Sequence, residues 1–171
     1  MIISRTPYRI SFFGGGTDYP KWYLKYGGQV LSTSIDKYVY ISCRYLPPFF
    51  EHRIRLVYGK TELRQNSNEI THPSAKAVLN YFKIKKDIEI HYDGDLPARS
   101  GMGSSSAFTI GLLHSLSKYN KIFLTKKNLA KIGIYIEQKI VNETVGSQDQ
   151  ISASFGGFNK IRFSTNGNFL V

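Results

Sequence analysis

Between Gln29 and Leu46 the run QVLSTSIDKYVYISCRYL interleaves β-branched and aromatic residues with polar ones, and Arg53–Tyr58 repeats the pattern. A two-residue period of this kind predicts strands. From His72, HPSAKAVLNYF carries Ala75, Val78, Leu79 and Phe82 at helical spacing, and Ile88–Tyr92 returns to strand. Phe108, Leu112, Leu116 and Tyr119 then recur every three or four residues, which predicts a helix from near Ser104. Thr125 is placed to cap a further helix with Leu129, Ile132, Ile136 and Ile140 on one face. GGFNKIRF and NFLV close the chain as strands. Strands first, then mixed strands and helices, predict an α+β layer fold with helices on one side of a sheet.

At 171 residues the chain has the length of one domain, residues 1–171, and neither repeats nor a linker divide it. Hydrophobic residues at 42% and aromatic residues at 14% exclude a disordered chain. The single cysteine, Cys43, leaves no intrachain disulfide and no cysteine metal cluster, and reads as a small buried hydrophobe. The start, MIISRTPYR, reaches Arg5 before an apolar signal region can form. Residues 100–117 lack charge, but six serines, a threonine and a histidine make them too polar to span a membrane. A cytoplasmic chain without membrane association is expected. The net charge of +11 admits nucleic acid, an anionic membrane surface or small phosphorylated ligands as partners, and does not choose among them.

The segment DLPARSGMGSSSAF, residues 95–108, lies between a predicted strand and a predicted helix. Glycines there let backbone N–H groups approach a phosphate, and the helix start adds the positive end of its dipole. The plainer reading is a surface loop with a serine cap. No lysine follows as in GxxxxGK[ST], and the third glycine of GxGxxG is missing. Glu137 falls on a helix face with Ala130, Gly133, Ile134 and Val141. A carboxylate so framed needs a cation or several donors if it is buried; the alternative is a side chain reaching solvent. Taken singly, Asp149 reads as a helix N-cap, Asp18 as a turn residue after Gly14–Gly16, and Arg9 as a surface charge in a strand.

Taken together these residues form a pattern. RTPYRISFFGGGTDY at 5–19, PARSGMGSSSA at 97–107, and Glu137 and Asp149 within IEQKIVNETVGSQDQISASFGGFN resemble, in order and spacing, the GHMP kinases. That family phosphorylates galactose, homoserine, mevalonate and related small molecules. The glycine triplet, HPSAKAVL and QDQISASFGGFNKIRF are most similar to the branch acting on heptose phosphates and fucose. The resemblance implies an N-terminal nucleotide-binding lobe with a fold of the ribosomal-protein type, using ATP and Mg²⁺. It implies that Gly101, Gly103, Ser104, Ser105 and Ser106 form the phosphate-binding loop, and that Ser105 and Glu137 hold Mg²⁺. Asp149 matches the catalytic aspartate, Arg9 the basic residue beside it, and Gly15, Gly16, Thr17 and Asp18 the acceptor site.

Two departures shape the expected function. Gly14, Gly15 and Gly16 stand where the galactose-specific pattern has Gly-Glu-His, which turns the expectation toward a bulkier or phosphorylated sugar, such as D-glycero-D-manno-heptose 7-phosphate phosphorylated at its anomeric hydroxyl. The family's C-terminal lobe, with its glycine-rich motif, has no counterpart, and the chain stops within the strand-like NFLV. A truncated lobe, with apolar surface left for self-association into a homo-oligomer, is therefore expected. A basic RNA-binding domain is the rival reading. Against it stand the lack of RNP or KH signatures and the repulsion of phosphate by Glu137 and Asp149 without a metal. An inactive lobe acting by association is a third reading.

Overall fold

The computed structural model describes residues 1–97 and 100–171; Ala98 and Arg99 of the glycine-serine motif lie outside the described residues. The chain runs β1 (Ile2–Phe13), α1 (Pro20–Tyr26), β2 (Gly28–Tyr45), β3 (Ile54–Val57), β4 (Thr61–Arg64), α2 (Pro73–Tyr81), β5 (Ile88–Gly94) and α3 (Ser104–Tyr119). It continues through α4 (Lys126–Tyr135), α5 (Gln148–Phe155), β6 (Phe158–Phe163) and β7 (Phe169–Leu170). The α+β expectation holds, and the predicted strands and helices appear within one or two residues of their sequence positions. The strand β1 agrees with the placing of Arg9 in a strand, while the helix α1 and the strand β4 have no counterpart in the pattern.

The sheet is built around β2. One edge of β2 pairs with β1 along most of its length, while β5 pairs with its C-terminal half and β6 with its N-terminal half. Both β1 and β2 lose register between Pro7–Tyr38 and Arg9–Ser34. Before that point Ser4, Thr6 and Tyr8 alternate into the core; beyond it the alternation shifts by one residue, so Arg9 faces the helices directly after Tyr8. Across the break β2 advances four residues against two in β1, a bulge that re-aims the side chains beyond it. Pro7, which has no N–H to donate, is tolerated because β1 is an edge strand.

The helix α3 lies across β1 and β2, with α4 and α5 packed beside it. Its residues Leu112, Leu113 and Leu116 join Val39, Ile41 and Ile90 of the sheet in the core. Cys43 is buried as expected, and desolvation pushes its thiol up to about 12.

The helix α2 begins at a titratable cap: His72 Nδ1 accepts from the Ala75 N–H at 3.3 Å. Burial lowers the His72 pKa below its ordinary 6.5, against an opposing pull from Glu62. The folded state thus favours the neutral ring, so this contribution to stability is present above about pH 6.5 and is lost as pH falls below it. His72→Asn, which keeps a capping oxygen but does not titrate, is expected to flatten the fall by about 1 kcal/mol in denaturant unfolding at pH 5. His114, which is held down by burial and Lys118, would contribute to the remaining slope. An unchanged pH profile in the variant would remove His72 from the account.

Candidate active site

The glycine-serine loop meets the sheet at Arg9. The Arg9 N–H donates to the Met102 carbonyl at 3.2 Å, and its Nη1 donates to the Gly101 carbonyl at 2.9 Å. Gly101 and Gly103 have φ of 75° and 74°, left-handed values that other residues rarely adopt. Gly103 is the N-cap of α3, and no side chain caps the helix. The serine-capped start of the plainer reading is therefore replaced by a glycine that leaves the positive end of α3 facing a cavity. That cavity is bounded by the loop, Arg9, Glu137 and Asp149.

Arg9 and Asp149 form a two-pronged pair across it. Nε donates to Oδ1 at 2.8 Å and Nη2 donates to Oδ2 at 2.7 Å. Asp149 sits in the first turn of α5, whose N-cap is Ser147, so it is not the cap that its position alone suggested. Desolvation raises its pKa, and the Arg9 charge opposes that shift. The pair packs against Gly103, where a Cβ would lie 3.4 Å from Asp149 Oδ2. Gly103→Val would combine a disfavoured φ with crowding of this pair. Nucleotide affinity is expected to be abolished, with the circular dichroism spectrum retained; unchanged affinity would separate the loop from nucleotide binding.

Glu137 is completely buried, which settles the choice between a buried and a solvent-facing carboxylate. The cause is a π-helical turn, Ile136–Ile140, continuing α4. The extra residue per turn changes the phase of the helix, so Ile136 and Glu137 are both buried and Ile140, expected on the core face, is 45% exposed. Glu137 Oε2 accepts from Ser106 Oγ at 2.8 Å and from Gln150 Nε2. Its Oε1 is buried without a hydrogen-bond partner among the described residues. Burial raises the Glu137 pKa, opposed by the hydroxyl and amide donors around it.

An orphaned carboxylate oxygen beside serine hydroxyls is a hard-oxygen donor set of the kind Mg²⁺ accepts, since that ion takes one or two protein oxygens and completes its shell with phosphate and water. No cluster of three His, Cys, Asp or Glu side chains occurs among the described residues. Ser105 and Glu137 both line the cavity, but the hydroxyl bonded to Glu137 is that of Ser106.

The acceptor residues divide. Asp18 lines the cavity, yet it is 1% exposed; Oδ1 accepts from the Gly16 N–H at 3.0 Å and Oδ2 from the Gln148 N–H at 3.1 Å. Thr17 Oγ1 bonds the Gly14 and Gln29 carbonyls and the Gln29 N–H. Gly15 lines a second, adjoining groove, while Thr17 and Gly16 line neither.

Sequence reasoning also missed a cleft that shares Ser104 and Ser105 with the cavity and is bounded by Tyr58, His72, Tyr92 and Phe108. His72 stacks on Phe108 with ring centres 4.5 Å apart, and Tyr58 meets His72 edge-on at 4.9 Å. These residues come from separate segments, so no local spacing announces them. Gln150, which holds Glu137, had a signal only in its proximity to Asp149.

Fold and site together define an α+β lobe whose glycine loop and helix start face a cavity shared with Arg9, Glu137 and Asp149. A sequence profile of the GHMP kinases N terminal domain matches residues 69–157, and the chain belongs to the GHMP kinase family. It is 27% identical over 179 residues to the D-glycero-alpha-D-manno-heptose 7-phosphate kinase of Campylobacter jejuni, covering 99% of this chain and 53% of that protein. It is 26% identical over 158 residues to the galactokinase of Thermosipho africanus, covering 88% of this chain and 42% of that protein. The crystal structure of a D-glycero-D-manno-heptose 1-phosphate kinase from Bacteroides thetaiotaomicron superposes with a TM-score of 0.89 at 24% identity, covering all of this chain and 59% of that one. The chain thus spans about half the length of the curated relatives it matches. No helix among the described residues is long and apolar enough to cross a membrane.

Proposed function

We propose that the chain is the nucleotide-binding lobe of a cytoplasmic, ATP-dependent sugar kinase, acting on a sugar or sugar phosphate. D-glycero-D-manno-heptose 7-phosphate, phosphorylated at the anomeric hydroxyl, is the acceptor favoured by the similarity to heptose phosphate kinases and by the glycine triplet. The observation that carries the reading is the Arg9–Asp149 pair facing a cavity that also holds the glycine loop and the orphaned oxygen of Glu137.

In this reading the aromatic cleft takes the nucleotide base, and Gly101–Ser106 with the α3 dipole take the phosphates. Ser105 and Glu137 Oε1 are the groups that would hold Mg²⁺, with Ser106 and Gln150 steadying the carboxylate. The bound ion supplies charge neutralisation and orientation of the transferred phosphate. Asp149 accepts or orients the proton of the acceptor hydroxyl, and Arg9 fixes its carboxylate while adding positive charge beside the transferred group.

The test is ATP consumption with a panel of sugars and sugar phosphates, run on residues 1–171 beside a chain extended through the following reading frame. The extended chain is expected to turn over heptose 7-phosphate, and the short chain to bind nucleotide weakly and turn over little, because loss of in-line positioning by about 1 Å costs roughly a hundredfold. Activity with no sugar in either form would overturn the reading.

A further inference from the structure

The catalytic cavity adjoins a second groove of about 840 Å³, walled by Arg9–Gly15 on one side and Ser100–Met102 on the other. Three residues line both spaces: Arg9, Gly101 and Gln148. Arg9 is bound to Asp149 and to the Gly101 carbonyl. Gln148 Oε1 is buried without a hydrogen-bond partner among the described residues, and so is Ser100 Oγ in the wall of the second groove. Leaving such groups unpaired is unfavourable, and a ligand hydroxyl placed against them would relieve it.

The neighbours of Gln148 are arranged to present it. Its backbone N–H is held by Asp18 Oδ2, and Ser147 N–H donates to the Asp18 carbonyl at 3.0 Å. At Gly146 a Cβ would lie 1.9 Å from Asp18 Oδ2, so only glycine allows this close approach. Asp18 and Thr17, both expected to read the acceptor, spend their side chains on backbone groups. Gly15 needs no left-handed backbone, unlike Gly14 and Gly16 on either side. A Cβ there would make ordinary contacts, 3.7 Å from Gln148 Nε2 and 4.0 Å from Ser11 Oγ. The missing side chain at position 15 leaves the space beside Gln148 Nε2 unfilled.

We propose that Gln148 is the acceptor-specificity residue, its side-chain amide hydrogen-bonding the hydroxyls of a sugar phosphate long enough to lie across both spaces, with Ser11 and Ser100 as further partners. An amide supplies donor and acceptor together, which suits hydroxyl groups that do both. This rests on the kinase reading above. A site built to hydrogen-bond a hydroxyl discriminates strongly against ligands that lack it.

The test is calorimetric titration of the chain with D-glycero-D-manno-heptose 7-phosphate and, separately, with the Mg²⁺ complex of a non-hydrolysable ATP analogue. Gln148→Met keeps length and removes both polar atoms; heptose phosphate affinity should fall about tenfold with nucleotide affinity unchanged. Gly15→Val, whose branches would cover the amide without straining the backbone, should do the same and serves if the methionine variant fails to fold. Unchanged sugar affinity in both variants overturns the role of Gln148 and leaves the kinase reading standing. Nucleotide binding by the parent without any sugar binding also overturns it. Failure of the parent to bind either ligand overturns both.

Discussion

Asparagine in place of Asp149 is expected to slow phosphoryl transfer by about a hundredfold to ten-thousandfold, the range contributed by a positioned proton acceptor. The amide keeps the volume but cannot take a proton. It also offers Arg9 one acceptor where the carboxylate offers two, since Nε and Nη2 now bond separate oxygens. A stability loss of about 1–3 kcal/mol is therefore expected alongside the rate effect, readable in denaturant unfolding. Nucleotide affinity should change little, because the loop and the aromatic cleft are untouched. The rate is measured in whichever form of the chain turns over; a rate close to the parent's would leave Asp149 only a structural partner of Arg9.

Glu137→Gln should have opposite effects on binding and on stability. Binding of the nucleotide with Mg²⁺ should weaken by at least roughly tenfold to a hundredfold, as expected for a disturbed metal site, while binding in the presence of a chelator should hardly change. The ligand-free chain should become more stable, because a neutral amide replaces a carboxylate that burial disfavours in its charged form. Ser106 can still donate to the new side chain. Titration with and without Mg²⁺, together with an unfolding curve, checks both halves. Equal losses with and without the metal would make Glu137 a structural group.

These two carboxylates also differ in how visible they were. Asp149 stands in a segment whose order of residues resembles a known family, yet its partner Arg9 is 140 positions away in the chain. Glu137 was suspected from the small residues around it, but its complete burial depends on the π-turn after Tyr135, which no hydrophobic period forecasts.

Local pattern was sufficient where local physics governs. Alternation gave β2, β3 and β5, helical spacing gave α2 and α3, and Thr125 announced α4 because its hydroxyl accepts from Asn128 N–H three residues on. The helix α1 escaped because PKWYLKY starts on Pro20 and buries only Tyr23, leaving too little apolar periodicity to read. Tertiary structure alone decided the rest. The bulge where β1 and β2 lose register turned Arg9 from an apparent surface charge into the partner of Asp149. The π-turn brought Glu137 against Ser106 of α3, a contact between segments 31 positions apart that no local spacing announces. The loop closure at Gly146 consumed the carboxylate of Asp18 and left Gln148 presented to both spaces. Periodicity records which side of an element meets the core, whereas these contacts depend on how distant elements are offset against one another, a quantity that only the packed chain determines.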